Sequence, residues 1–187
     1  MDSISVIQDA FSRVRGTLHR SLSGLTRIEL HYYPHIESNT IAWLAWHLTR
    51  IQDDHLADLA GTQQEWIRSK WYERFSLAPD PTNTGGGHTT EQVRKFVTPD
   101  CEVLLAYHDA VYTQSCSYLE TVRPTDLDRI LNEPQYQPLP TVGVRLVSVI
   151  SDNSQHAGQI AYLRGLLQGR SWLTTREDLD FDTKRDF

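Results

Sequence analysis

A chain of 187 residues with 39% hydrophobic and 22% charged side chains is long enough to bury a real core as one domain over 1–187. Its net charge is −6 and its 18 Lys and Arg are scattered, so no basic face is set up for nucleic acid; nor is there a run of about 18 apolar residues to span a membrane. Two cysteines cannot build a disulfide framework or a four-thiolate zinc site, and the opening Met1-Asp-Ser-Ile-Ser lacks the basic and apolar segments of a signal peptide, so the cytoplasm is the expected compartment.

Ile4, Ile7, Phe11, Val14, Leu18 and Leu22 fall at helical spacing and predict a first helix over 3–22. A second helix is predicted over 38–60, with Ser38 or Asn39 as N-cap, Gly61 as the stop, and Ile41, Leu44, Leu48 and Ile51 as its apolar stripe. His47 sits at the edge of that stripe, Asp54 and Asp58 continue its line, His55 projects into the stripe, and Asp53 points away to solvent. The connection over 61–97 is longer than a compact domain normally uses. It holds an aromatic piece, Trp66, Trp71, Tyr72 and Phe75, expected to cover a bundle end. It also holds Gly85-Gly-Gly-His88, a flexible loop that lacks the Lys and Ser/Thr of a phosphate-binding loop.

Thr98 as N-cap, Pro99 at the first helical position and Asp100 in the first turn predict a third helix running to about 121. Cys101 and Cys116 lie about four turns apart within it and cannot pair; burial as small hydrophobes is expected. A fourth helix is predicted from its cap Thr141 to its stop Gly169. The fold class is therefore all-α, an up-down-type four-helix bundle with a long excursion between helices two and three. The tail after Gly169 is expected to pack on the same chain.

The most informative feature is Asp152 and His156 in the fourth helix, four residues apart and so on one face, with Arg145 and Gln159 continuing their stripe. Val142, Val144, Leu146, Val147, Val149, Ile150, Ala157, Ile160 and Leu163 surround them, which predicts a helix buried nearly all round. A buried acid and imidazole need partners to offset desolvation. A hydrogen-bonded pair bracing the bundle would meet that need, and so would a metal ion. With His47 from the second helix the set becomes two imidazoles and a carboxylate, which suits Zn, Ni, Fe or Mn. Asp54 could orient His47 through its ring N–H, and His55 could serve as an alternative ligand. A di-iron bundle is excluded, since the chain contains no Glu-x-x-His pair.

Ile41-Ala-Trp-Leu-Ala-Trp-His-Leu-Thr-Arg-Ile-Gln-Asp-Asp-His55, Tyr72-Glu-Arg-Phe75, Leu105-Ala-Tyr-His-Asp-Ala110 and the segment from Val144 to Gly165 resemble the DinB/YfiT-like superfamily, in order and spacing, over nearly the whole chain. Within it they are similar to the actinobacterial DinB-like branch, related to the mycothiol-dependent maleylpyruvate isomerases. The resemblance implies a four-helix core with a metal held by one side chain of helix two and two of the last core helix, here His47, Asp152 and His156. Asp152 departs from the His or Glu usual at its position.

The resemblance further implies a divalent-metal-dependent transferase or isomerase that uses a low-molecular-weight thiol such as mycothiol, acts on a small-molecule substrate and forms a homodimer. Arg145 and Gln159 are the expected substrate contacts. A metal-dependent hydrolase, with Asp54 or His55 as general base, and a non-enzymatic metal-binding or stress-associated helical protein are the alternatives.

Overall fold

The computed structural model describes residues 2–169 and 172. Its helices are α1 (Ser3–Leu22), α2 (Arg27–Leu30), α3 (Ile41–Ala60), α4 (Glu65–Arg68), α5 (Trp71–Arg74), α6 (Thr90–Lys95), α7 (Cys101–Leu119) and α8 (Val142–Gln168), with a 3-10 turn at Pro124–Asp128. The expected tail packing lies outside the described residues apart from Trp172, over which the Arg164 guanidinium sits at 5.0 Å.

Each long helix begins at a side chain that accepts a backbone N–H three residues on: Asp2 for α1, Thr40 for α3, Asp100 for α7 and Thr141 for α8. Two of these caps differ from the sequence reading. In the polar run before α3, Thr40 reaches the Trp43 N–H, so Ser38 and Asn39 stay outside the helix. Before α7 the Thr98 hydroxyl is spent on the Asp100 carbonyl, and Asp100 itself caps Val103. Gly61 ends α3 with a left-handed φ of 65°, which a glycine adopts without strain.

α1 and α3 each pack on both α7 and α8. One buried cluster joins the start of α1 (Ile4, Phe11) to the end of α3 (Leu56), the end of α7 (Leu119) and the start of α8 (Leu146). The other joins Leu18, Leu44, Leu104 and Ile160 at the opposite end. The helix directions are therefore up, down, down, up. Adjacent α3 and α7 run parallel, and a parallel pair needs a crossover. The excursion is that crossover: it leaves α3 at one end and climbs back along the α3–α7 side to start α7 at the other.

Its aromatic piece consequently does not cover a bundle end. Trp66 packs edge-on to Trp46 at 6.1 Å and lies 5.6 Å from Tyr107, while Phe75 bridges Tyr107 and Phe96 at 5.9 and 6.1 Å. Each such ring taken fully out of water contributes on the order of 2–3 kcal/mol. The crossover also explains why Asp53 is buried and does not face solvent. Trp46, Arg50 and Asp53 form a second stripe on α3, and the crossover covers it. Asp53 accepts from the Glu65 and Trp66 backbone N–H groups, both at 2.8 Å, and from the Tyr107 hydroxyl at 2.7 Å, with Arg50 at 3.3 Å.

α8 is less buried than its composition predicts. Val144, Val147, Tyr162 and Leu166 are exposed on one face, because α1 and α3 cover only two sides of it. Cys101 is buried, Cys116 is half-buried, and both are free thiols. Among the described residues no helix is long and apolar enough to cross a membrane.

Candidate metal centre

α3 and α8 lie side by side and antiparallel, so the middle of one faces the middle of the other. His47 comes from α3, and Asp152 and His156 stand one turn apart on α8. Each offers one ligand atom, and these atoms all lie within 4.8 Å of one another. The His47 and His156 rings meet nearly edge-on, 5.0 Å between centroids at 73°.

Both imidazoles are anchored through Nδ1. His47 Nδ1 meets the Thr84 carbonyl at 2.6 Å and must donate to it, which leaves Nε2 as an unprotonated donor in the neutral ring. His156 Nδ1 meets Gln159 Oε1 at 2.8 Å, and its Nε2 stands 3.6 Å from Asp152 Oδ1. Burial pushes the His47 imidazole below its ordinary pKa, the neighbouring His156 pushes the same way, and the Thr84 bond and Asp152 oppose them. His47 is therefore neutral near pH 7, the state a metal requires.

Asp152 and His156 do not satisfy each other. Their nearest approach is 3.6 Å, beyond a hydrogen bond, and Asp152 Oδ2 is buried with no hydrogen-bond partner among the described residues. A carboxylate with one oxygen unpartnered, standing with two imidazoles whose ligand atoms lie within 4.8 Å of its own, fits a cation and leaves the bracing-pair reading without its bond. The donor set of two nitrogens and one carboxylate suits a divalent transition ion or zinc, with coordination positions left for a further ligand.

The crossover loop supplies the rest of the cradle. Gly85 has φ +90°, and a Cβ there would stand 2.8 Å from a Trp46 ring carbon, 3.0 Å from one of Trp43 and 3.1 Å from His47 Nδ1. Only glycine lets the Thr84 carbonyl come this close to the imidazole. Trp43 stacks on His47 at 4.6 Å and donates its indole N–H to His88 Nδ1 at 3.2 Å, so His88 belongs to the cradle wall. Its other nitrogen meets the Asn83 side chain at 3.0 Å.

The remaining predicted residues divide. Asp54 accepts from Gln64 at 2.7 Å, and the orienting role proposed for it falls to the Thr84 carbonyl. His55 lies against the Arg145 guanidinium at 3.3 Å, and burial followed by that charge lowers its pKa. Arg145 pairs with Glu133 and covers the Tyr136 ring at 5.5 Å. Gln159 holds His156 and also lines a groove of about 320 Å³ with Pro34, Glu37, Asn39, Leu44 and Tyr162, beside the three-residue cluster. The sequence reading missed Thr84, which acts through its backbone and leaves no side-chain signal. It also missed Gly85, whose signal was the Gly85-Gly-Gly run.

Residues 10–160 match the family model described as the DinB superfamily. A crystal structure of a conserved protein from Enterococcus faecalis is 29% identical to this chain, with a TM-score of 0.82 over 91% of this chain and 99% of that one. No curated protein matches. The family match over most of the length, on a bundle of the same fold as that structure, shows that the chain belongs to the DinB superfamily.

Proposed function

We propose that the chain is a divalent-metal-dependent transferase or isomerase that uses a low-molecular-weight thiol such as mycothiol, with His47, Asp152 and His156 as the metal ligands. The observation that carries this reading is the convergence of one ligand atom each from His47, Asp152 and His156 within 4.8 Å, with both imidazoles held through Nδ1 and one Asp152 oxygen unpartnered among the described residues. A bound divalent ion supplies Lewis acidity that turns a coordinated thiol into a thiolate near neutral pH.

A thiol is favoured over water as the nucleophile by what surrounds the cluster. A metal-bound thiol would be deprotonated outright and need no further base, whereas metal-bound water, with a pKa of about 7, gains from a general base beside it. Asp54 and His55, the residues the sequence offers for that base, are engaged by Gln64 and Arg145. The chain's own thiols do not serve: Cys101 and Cys116 lie on α7, diagonal to α8, and burial raises both above the ordinary thiol range. The thiol therefore comes from a separate molecule. The groove beside Gln159 is the place for a small substrate, one turn from His156.

The test begins with elemental analysis of protein prepared without a histidine tag. About one equivalent of Zn, Ni, Fe or Mn is expected, and His47→Ala and His156→Ala should each lose it. The loaded protein is then incubated with an electrophilic substrate panel and mycothiol, bacillithiol or glutathione. Turnover that requires the thiol supports the proposal. Turnover without any thiol would assign a hydrolase instead, and failure to take up any divalent ion after reloading would overturn the reading.

A further inference from the structure

Among the described residues Arg50 is the largest charged side chain sealed inside the protein, with 0% of its surface exposed. Each of its three nitrogens donates a hydrogen bond. Nε donates to the Asn83 carbonyl at 3.1 Å and one terminal nitrogen to the Pro81 carbonyl at 2.7 Å. The other terminal nitrogen reaches Gln64 Oε1 at 3.0 Å, and Asp53 and the Tyr107 hydroxyl at 3.3 Å each. The guanidinium lies over the Trp66 ring at 4.9 Å. A buried ion pair of this kind rarely adds stability over well-packed apolar residues, so stability alone is a poor account of it. What a guanidinium bonded through all three nitrogens does supply is geometry, since its planar fork fixes its acceptors in place.

Those acceptors are informative. Two of them are the carbonyls of residues 81 and 83 in the crossover loop, and the next carbonyl, Thr84, holds His47 Nδ1 at 2.6 Å. Arg50 and His47 are three apart on α3, so one helix face grips three of four successive loop carbonyls. Gly85 then packs on Trp46 and His47 as the following residue.

We infer that Arg50 is the positioning residue of the metal centre: by fixing the Pro81 and Asn83 carbonyls it sets the Thr84 carbonyl, and with it the tautomer and orientation of His47. The inference rests on the proposed metal site for its consequence but not for its geometry. Arg50 touches neither the cluster nor the groove and takes no part in the chemistry. Partners that orient a metal-bound imidazole typically govern affinity by ten- to a hundredfold, and Arg50 acts one step behind such a partner.

The experiment compares the wild type with Arg50→Lys, which keeps the charge and loses the fork, and with Leu18→Ala, a core truncation on α1 that leaves the loop alone. Ring nitrogen NMR on the metal-free protein reads the His47 tautomer, and titration with Co(II) reads affinity and the visible absorption of the site. The wild type should show His47 protonated at Nδ1 only. Arg50→Lys should show a tautomer mixture, Co(II) binding at least about tenfold weaker and an altered spectrum. Leu18→Ala should show none of these. An unchanged tautomer in Arg50→Lys, or a changed tautomer with wild-type Co(II) affinity, would overturn the inference. Should the wild type itself take no Co(II), the proposed function falls, and the tautomer comparison alone decides whether Arg50 orients the ring. Should Arg50→Lys not fold, Gln64→Ala is read in the same way, since it removes one bond to Arg50 and one to Pro81 from the rim of the network.

Discussion

His108 is a fully buried imidazole on α7 with one nitrogen 3.2 Å from the Thr49 hydroxyl and the other without a partner among the described residues. Burial drives its pKa down from 6.5 to about 3. Above pH 6.5 folded and unfolded chains both carry it neutral, and it adds no pH dependence. Below that, the unfolded chain takes up a proton that the folded chain refuses down to about pH 3, so stability falls by about 1.4 kcal/mol per pH unit. Between pH 7 and 5 His108→Gln should therefore lose roughly 2 kcal/mol less than the wild type in urea denaturation. Equal losses would show that His108 protonates as readily inside the fold as outside it. His108 and His47 look alike as histidines on apolar helix faces. They differ in what stands opposite: Thr49 for one, a carboxylate and a second imidazole for the other. No residue-level pattern in the sequence makes that distinction for either alone.

Among elements, α3 has the richest surface, with three stripes serving three neighbours. Its Ile41–Leu48 stripe packs into the bundle, His47 meets α8, and Trp46, Arg50 and Asp53 receive the crossover. Asp53 acts at both ends of that last contact, capping α4 through the Glu65 and Trp66 N–H groups and neutralising Arg50. Asp53→Ala leaves a buried guanidinium without its counter-charge and should cost about 3–5 kcal/mol. Thr40→Ala removes one helix cap and should cost about 1 kcal/mol. Chemical denaturation of both variants checks the ratio, and equal small losses would mean that water reaches Arg50. Helix extents were legible: α1 begins and ends where its apolar spacing does, and Thr141 and Gly169 bound α8. The starts of α3 and α7 were not, because each follows several residues able to cap and only local geometry selects one. The inward turn of Asp53 was invisible for a related reason. An acid next to another acid on a helix reads as solvated until something covers it.

At the scale of the whole molecule, the candidate metal centre joins α3 to α8 across a hundred residues of sequence. A ligand bound only by the folded state stabilises it by about 2.7 kcal/mol at a hundredfold excess over its Kd, which for a chain of this size raises Tm by roughly 5–10 °C. Zinc added to chelator-treated protein should produce such a shift in calorimetry, with EDTA reversing it and His156→Ala abolishing it. A shift that survives His156→Ala would place the bound ion elsewhere. The parallel pairing of α3 and α7 makes the crossover unavoidable, and the crossover in turn brings Thr84 and Gly85 to His47. Fold and site are thus coupled through one connection.

By itself the sequence determined the four long helices, their apolar faces and the i, i+4 pairing of Asp152 with His156, because helical periodicity is local and leaves its trace in residue spacing. It also carried the family, through motifs spread over nearly the whole chain. Only the tertiary structure decided which helices are neighbours, that the excursion packs along the bundle's side, that Arg145 pairs with Glu133, and that a backbone carbonyl orients His47. These depend on contacts between residues distant in sequence, and a carbonyl is the same atom at every position, so neither leaves a periodic or compositional mark.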